Sequence, residues 1–470
     1  MIIEQIYTGC LAEAAYYIES KGEAAIIDPL REVAPYLRKA DRANARIKYI
    51  FETHFHADFV SGHIDLAEKS GADIVYGPTA KTSFKSHVAT DGEQFQIGEL
   101  SITALHTPGH TPESTTYLLK DKDGKPYCIF TGDTLFIGDV GRPDLAQKGD
   151  LTIEDMASAL YDSLHNKIMT LPDEILVYPA HGAGSACGKS MSKETFDTLG
   201  HQKAVNYALK AATKEQFIAE VTEGILPPPQ YFAKNAAMNK NGYESFDEVY
   251  DKGLTPLEPE DFERMANLSG ALILDTRPPD EFAKGFIPSA VNIGLNGQFA
   301  PWVGALITDL KQPLLLVVEQ GKEEEAITRL SRVGYDNTIG YLKGGISGWV
   351  SSGKDIDTIQ SVSAAEFEEI AADGNIDVLD VRKPGEYEAE HLEITLARPL
   401  DYINDWTNEI DTTKTYYIHC AGGYRSMIAA SILKARGVEN VVDIAGGYGE
   451  LKNTGLIRTD FSCPSKAMKI

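Results

Sequence analysis

Two segments in the second half of this chain repeat one another, and an internal repeat limits the fold more than composition can. ALILDTRPPDEFAKGFIPSAVNI, with Asp275, Arg277 and Glu281, is echoed by IDVLDVRKPGEYEAEHLEITLARPL, with Asp380, Arg382 and Glu386. Further on, GYLKGGISGW is echoed by VVDIAGGYGEL, so that Gly344-Gly345 corresponds to Gly446-Gly447. Two successive copies of one small domain account for this. Each copy alternates short apolar runs with amphipathic helical stretches such as 323–332 and 425–436, the pattern of a small parallel α/β unit. The acidic and basic residues of the shared DxRxxxE string are expected to hold the loop after their strand.

A chain of 470 residues exceeds one hydrophobic core, and ordinary domain sizes suggest about three domains. Pro227-Pro228-Pro229 cannot continue the helical stretch 214–223 and favour an extended connector, and the polar sequence 235–259 reads as the bridge to the repeats. The expected limits are 1–245, 255–355 and 360–470. Acidic residues outnumber basic ones 69 to 44, a formal charge of −25, which argues against nucleic acid and anionic membranes as partners. No apolar run approaches the ~20 residues of a membrane span. MIIEQIYTGC lacks the basic and apolar regions of a leader, so a cytoplasmic protein is expected. Five cysteines, Cys10, Cys128, Cys187, Cys420 and Cys463, form no CxxC pair, and their odd number points to free thiols. Cys128, in the run YCIF, reads as core, and Cys463 belongs to the tail.

The first half places ligand-type residues at strand ends. THFHADFVSGH supplies His54, His56 and Asp58 directly after the apolar run Tyr49-Ile50-Phe51. HTPGHTPES gives His110, TGDTLF gives Asp133 and YPAHG gives His181, each behind another apolar strand-like run. Such residues emerging from four strand ends point to a metal site.

These motifs resemble the metallo-β-lactamase superfamily, whose signature is HxHxDH followed by a distant His, an Asp and a last His. The resemblance implies an α/β fold: an αβ/βα sandwich, followed here by two small doubly wound α/β domains. Hydrolytic members place a second-metal His immediately after the Asp, where this chain has Phe59. Paired metals polarise a carbonyl and generate hydroxide, and a benzyl group cannot help to hold one of them. What remains, His54, His110 and Asp133, is the two-imidazole, one-carboxylate set of mononuclear iron(II) oxygenases, with positions open for substrate and dioxygen. Zinc, being redox-inert, suits closed or hydrolytic sites instead.

Within the superfamily the chain is similar to the persulfide dioxygenases and to their bacterial fusions with rhodanese modules. GDTLFIGDVGRPDL around Asp133 and GSACGKS around Cys187 carry that likeness. It implies one Fe(II) per chain, a small-molecule thiol persulfide and O2 as substrates, and sulfite as product. By the same likeness His56 lies near the metal without being an obligatory ligand, Asp58 is a hydrogen-bond partner of the ligand shell, and His181 matches a ligand of the lost site. Arg142, in GRPDL, is either a partner for the anionic part of the thiol carrier or a structural salt bridge. Cys187 is either a pocket thiol or a structural one, and Cys10 is open in the same way.

The two repeats differ at one loop. The second has YYIHCAGGYRS, a strand, then Cys420, a Gly-rich turn, and Arg425 opening a helix. A thiolate there is stabilised by loop amides and the helix N-terminus and stays reactive at neutral pH. Cysteine phosphatases separate cysteine and arginine by five residues to enclose a phosphate; here only Ala421, Gly422, Gly423 and Tyr424 intervene, and the smaller ring suits a sulfur. The first copy reads LLVVEQGKEEEA, with Glu319 at the nucleophile's position. These features resemble the rhodanese family, whose loop cysteine carries sulfane sulfur as a persulfide, and the first copy resembles its silent domains, with a structural role expected. The chemistry so implied is persulfide oxidation to sulfite, coupled through Cys420 to thiosulfate, in sulfide detoxification. Two alternatives stand beside it: a glyoxalase II-like thioester hydrolase carrying rhodanese modules, and a non-enzymatic sulfane-sulfur carrier. The identity of the thiol and any homo-oligomer stay open.

Overall fold

Period-two alternation along the strands of the first half sorts side chains between two faces of a sheet. In the computed structural model, which describes residues 1–145, 151–372, 374 and 376–462, those faces become the layers of a sandwich; Cys463 lies outside the described residues. Strands β1 (Ile2–Thr8), β2 (Glu13–Ser20), β3 (Glu23–Ile27), β4 (Arg46–Phe51), β5 (Asp73–Tyr76) and β6 (His87–Val88) pair in that order. A second sheet runs β12-β11-β10-β9-β8-β7, built from β7 (Gln94–Ile97), β8 (Leu100–His106), β9 (Thr115–Lys120), β10 (Pro126–Gly132), β11 (Leu176–Pro179) and β12 (Asp197–Thr198).

Along β2, Ala14, Tyr16 and Ile18 enter the layer between the sheets, while Ala15 and Tyr17 pack on the helix side. Phe51 and Ile50, at the end of β4, part in the same way. Helices Ala34–Ala43 and His63–Ser70 cover the first sheet through Tyr36, Ala40 and Leu66. Helices Ile153–Ser163 and Lys214–Thr222 cover the second through Leu160, Phe217 and Val221. The layers are therefore αβ/βα, as expected. Each large side chain buried contributes ~1.5–3 kcal/mol, so the inter-sheet aromatics Tyr16, Phe51, Tyr117 and Phe130 fix the strand ends from which the ligand residues emerge. Cys128 lies among them.

The chain divides into two compact units, Met1–Phe246 with Ser331–Gly334, and Asp247–Leu330 with the chain from Tyr335 on. The second unit holds both repeats. One contributes β13 (Pro256–Leu257), β14 (Leu272–Asp275), β15 (Val291–Asn292), β16 (Leu314–Val317) and β17 (Thr338–Leu342), in the order β13-β17-β16-β14-β15. The other contributes β18 (Gln360–Val362), β19 (Asp377–Asp380), β20 (Thr395–Ala397), β21 (Tyr416–His419) and β22 (Val441–Ile444), in the order β18-β22-β21-β19-β20. Both sheets are parallel and share one topology, which is the repeat expressed in three dimensions. In each copy the string's arginine grips its aspartate with two nitrogens: Arg277 on Asp275 and Arg382 on Asp380. The same guanidinium donates onward to a loop carbonyl, Gly285 or Glu390, at 2.9 Å.

The stretch 235–259 is not an open bridge. Helices Phe232–Asn241 and Phe246–Gly253 occupy most of it, and the first of them belongs to the first unit. Its buried face is Phe232, Asn235 and Asn239, a helical spacing in which two of the three residues are polar, so no apolar periodicity announced it. Among the described residues no helix is long and apolar enough to cross a membrane.

Candidate functional site

β4 ends at Phe51, and the loop behind it carries the first candidate ligand. Thr53 is pinned by Asp28, which accepts its backbone N–H at 2.8 Å and its hydroxyl at 2.9 Å. The Thr53 hydroxyl lies 3.0 Å from Nδ1 of His54, which sets the ring so that Nε2 faces Asp133, 3.9 Å from Oδ2. His110 Nδ1 sits 2.9 Å from the carbonyl oxygen of Arg142. A carbonyl only accepts, so the proton is on Nδ1, and Nε2 turns its lone pair toward Asp133 Oδ2 at 3.3 Å. No Cβ fits at Gly141, between the Asp133 carbonyl and the His110 ring, so glycine there permits this approach.

His54, His110 and Asp133 thus bring one donor atom each within 4.8 Å of one another, all buried. Neither oxygen of Asp133 has a hydrogen-bond partner among the described residues. Burial, reinforced by the His56 charge, holds His54 well below its ordinary value, so its ring is neutral as a metal ligand must be.

The other residues of the motif form a second cluster. His181 donates from Nδ1 to the Ala12 carbonyl at 3.2 Å and presents Nε2 to Asp58 Oδ2 at 3.3 Å and Asp133 Oδ1 at 3.5 Å. His56, Asp58 and His181 also meet within 4.8 Å. His56, however, has another partner, since its Nε2 lies 3.0 Å from Asp28 Oδ1. Burial alone would push its pKa down, but Asp28, with Glu52 and Asp58 beyond, brings it up to about 10. Phe59 is fully buried with its ring 4.4 Å from that of His56.

Three buried carboxylates beneath the loop were not among the residues singled out from sequence: Glu13, Asp28 and Glu52. Burial raises Glu13 and Glu52 well above the ordinary carboxylate range. Asp28 and Glu52 carried one signal, an acid directly behind an apolar run, AAII and YIF respectively; Glu13 carried none. Asn239 was missed as well. From helix Phe232–Asn241 it donates to the carbonyls of His56 and Phe59, both at 2.8 Å, and accepts the Ser61 N–H at 2.9 Å.

Arg142 spends its guanidinium inside the chain. Nε and Nη2 form a bidentate pair with Asp144 at 2.6 and 2.7 Å, and the carbonyls of Leu226 and Ala186 take further donors. Its backbone N–H reaches the Cys187 carbonyl at 3.1 Å. Cys187 is buried beside Asp133 and His181. Burial, then the Asp58 and Asp133 charges, pushes its thiol well up, so it stays protonated. Cys10 is partly exposed, and Cys10, Cys128, Cys187 and Cys420 are all unpaired.

In the second unit Cys420 follows β21, whose neighbours β22 and β19 lie on opposite sides in chain order, so the loop opens where strand order reverses. Cys420 Sγ accepts the Gly423 N–H at 3.1 Å and lies 3.7 Å from the Ser426 hydroxyl. Gly423 adopts φ +102°, which turns that N–H inward at a backbone angle few other residues tolerate. Arg425 is clamped by Glu386 through two hydrogen bonds of 2.6 and 2.9 Å. A cavity of about 390 Å³ opens over Cys420, lined by Ala421, Gly422, Tyr424 and Arg425 of its own repeat and by Gln298 and Trp302 of the other. In that other repeat Glu319 is exposed at the matching strand end, and no thiol stands there.

Residues 8–181 match the metallo-beta-lactamase superfamily, and residues 258–352 and 363–454 each match the rhodanese-like domain. The chain belongs to the metallo-β-lactamase superfamily and carries two rhodanese-like domains behind that domain. Among its relatives is the human mitochondrial persulfide dioxygenase ETHE1, 31% identical over 210 residues, 44% of this chain and 74% of that protein. A probable hydroxyacylglutathione hydrolase of Schizosaccharomyces pombe is 30% identical over 219 residues, 46% of this chain and 79% of its own. The crystal structure of a metallo-beta-lactamase from Staphylococcus aureus superposes with a TM-score of 0.63 at 31% identity, over 73% of this chain and 98% of that one. Overall identity therefore does not separate oxygenase from hydrolase.

Proposed function

We propose that the first domain is a persulfide dioxygenase using one iron(II) held by His54, His110 and Asp133, and that Cys420 passes sulfane sulfur to the sulfite formed, giving thiosulfate. The domain limits 1–245, 255–355 and 360–470 are part of this reading. The observation that carries it is Phe59: the position that would complete a second metal site holds a buried ring packed on His56, and His56 is itself engaged by Asp28. The donor set fits the ion, since neither Asp133 oxygen has a hydrogen-bond partner among the described residues and the His110 proton is on the far nitrogen. When bound, iron(II) supplies a redox-active centre with positions left for sulfur and dioxygen.

The chain's own groups do the rest. Asp133 balances the metal's charge, Thr53 and the Arg142 carbonyl orient the two imidazoles, and Phe59 with Phe136 keeps water from the flanks. The neutral Cys187 thiol adds no charge beside Asp133. One persulfide, one dioxygen and one water yield one thiol, one sulfite and two protons. The role this assigns is sulfide detoxification. Metal analysis of anaerobically purified protein, followed by oxygen uptake with several low-molecular-weight persulfides, tests it; one iron and persulfide-dependent uptake are expected.

A second reading, thioester hydrolysis, is favoured by the Asp58–His181 contact at 3.3 Å, which preserves part of a second site. Two zincs per chain and hydrolysis of a thioester would establish it and remove the first.

A further inference from the structure

The cavity over Cys420 is built by both repeats. Gln298 and Trp302, at the start of helix Phe299–Leu306, share its wall with Cys420, Tyr424 and Arg425. Their loop is held in place rather than merely adjacent. The Tyr424 hydroxyl donates to the Gly294 carbonyl at 2.7 Å, and the Asn292 N–H donates to the Ser431 hydroxyl at 2.9 Å. At Gly297 no Cβ would fit against the Tyr424 ring.

What this wall offers is hydrogen-bond donors without charge. Arg425 is the one charged side chain lining the cavity among the described residues, and its guanidinium is neutralised by Glu386. Trp302 is 5% exposed, and its indole N–H has no acceptor among the described residues. Gln298 stands at the N-cap position of its helix, yet its side chain makes no capping hydrogen bond. Gln298 is exposed and Trp302 borders the cavity, so a ligand bearing oxygen atoms can accept from either without displacing a protein acceptor.

Resting on the reading of Cys420 as a sulfur carrier, we propose that the repeat without a nucleophile forms the oxyanion-binding wall of the transfer pocket through Gln298 and Trp302, and so selects sulfite as the acceptor. Sulfite's sulfur lone pair attacks the outer sulfur of the Cys420 persulfide. The bond between the two persulfide sulfurs breaks, its electron pair returning to Cys420 Sγ, and thiosulfate leaves; any proton on the outer sulfur passes to water. No external oxidant or reductant enters. The two donors hold sulfite's oxygens while its sulfur faces Cys420, and because the wall is neutral it also lets the thiosulfate go. The silent copy is then a binding partner in the transfer as well as a spacer.

The test uses the full chain, loaded with sulfane sulfur by inorganic polysulfide and discharged with either sulfite or cyanide, an acceptor that carries no oxygen. The Cys420→Ser chain is the blank. Thiosulfate or thiocyanate is measured in a single turnover. Trp302→Phe keeps an aromatic side chain and loses the N–H; Gln298→Leu changes an exposed side chain outside the core. The ratio of the sulfite to the cyanide rate constant is expected to fall about five- to tenfold in each variant, the value of one hydrogen bond. An unchanged ratio in Gln298→Leu and Trp302→Phe, including an equal fall with both acceptors, overturns the proposal. A wild-type chain that discharges to neither acceptor overturns instead the reading of Cys420 on which it rests.

Discussion

Asn239 donates from its side-chain amide to the carbonyl oxygen of Phe59 at 2.8 Å. The same amide donates to the His56 carbonyl, and its oxygen accepts the Ser61 N–H. One residue of helix Phe232–Asn241 therefore fixes three backbone groups of the loop that carries His54, His56 and Asp58. A segment whose composition reads as a connector is part of the scaffold of the candidate metal site.

Asn239→Ala leaves those three groups buried and unpaired. At ~1–3 kcal/mol for each such group, with partial relaxation, the first unit is expected to lose ~2–4 kcal/mol. Bound metal should fall with it, because the loop that aims His54 loosens. Urea unfolding and metal content of the variant check both; full metal retention at unchanged stability would show that the clamp does not position the loop.

Phe59→His exchanges a fully buried ring for an imidazole. Without metal the variant is expected to be less stable by ~1–3 kcal/mol, from lost apolar burial and an unpaired polar group. Added zinc should reverse the loss and raise the metal content toward two per chain, since Asp58 and His181 already face one another. Thermal melts with and without zinc, together with elemental analysis, decide it.

Arg142→Ala strands Asp144 with a mostly buried charge and frees two carbonyls. A loss of ~2–4 kcal/mol in stability is expected. If Arg142 served the thiol carrier instead, the variant would melt normally and show only a raised KM for the persulfide.

Asp443 lies on β22, near Ser361 and Ser426, and burial pushes its carboxyl up to about 6 from an ordinary 3.8. The native state thus holds the proton more tightly than the unfolded chain. Its contribution is whole below about pH 3.8 and is lost as the pH rises through about 6. Above that the ionised form costs up to ~3 kcal/mol. Asp443→Asn is expected to stabilise the second unit at pH 8 and to make little difference at pH 4. A difference between variant and wild type that stays flat across this range would remove the effect.

The candidate ligand positions of the first domain were readable because each lies one to four residues beyond an apolar strand, and strand ends are local features. His54, His110 and Asp133 needed only that, as did the Gly-rich turn after β21 and the paired Asp275–Arg277 and Asp380–Arg382 strings. Tertiary structure alone settled which groups surround them. Asp28, Glu52 and Glu13 come from three different strand ends and meet beneath His56 because the first sheet brings its strand ends together. Asn239 lies 180 residues from the loop it clamps, on a helix face too polar to show periodicity. Arg142 reads from sequence as equally suited to a substrate or a salt bridge, and only folding brings Asp144 and the Leu226 carbonyl against it. The wall of the Cys420 pocket is the plainest case: Gln298 and Trp302 belong to the other repeat, and only the packing of the two copies brings them to the sulfur. Periodicity and turn chemistry act over a few residues and are written in the chain. Partnerships between distant segments are set by which faces pack together.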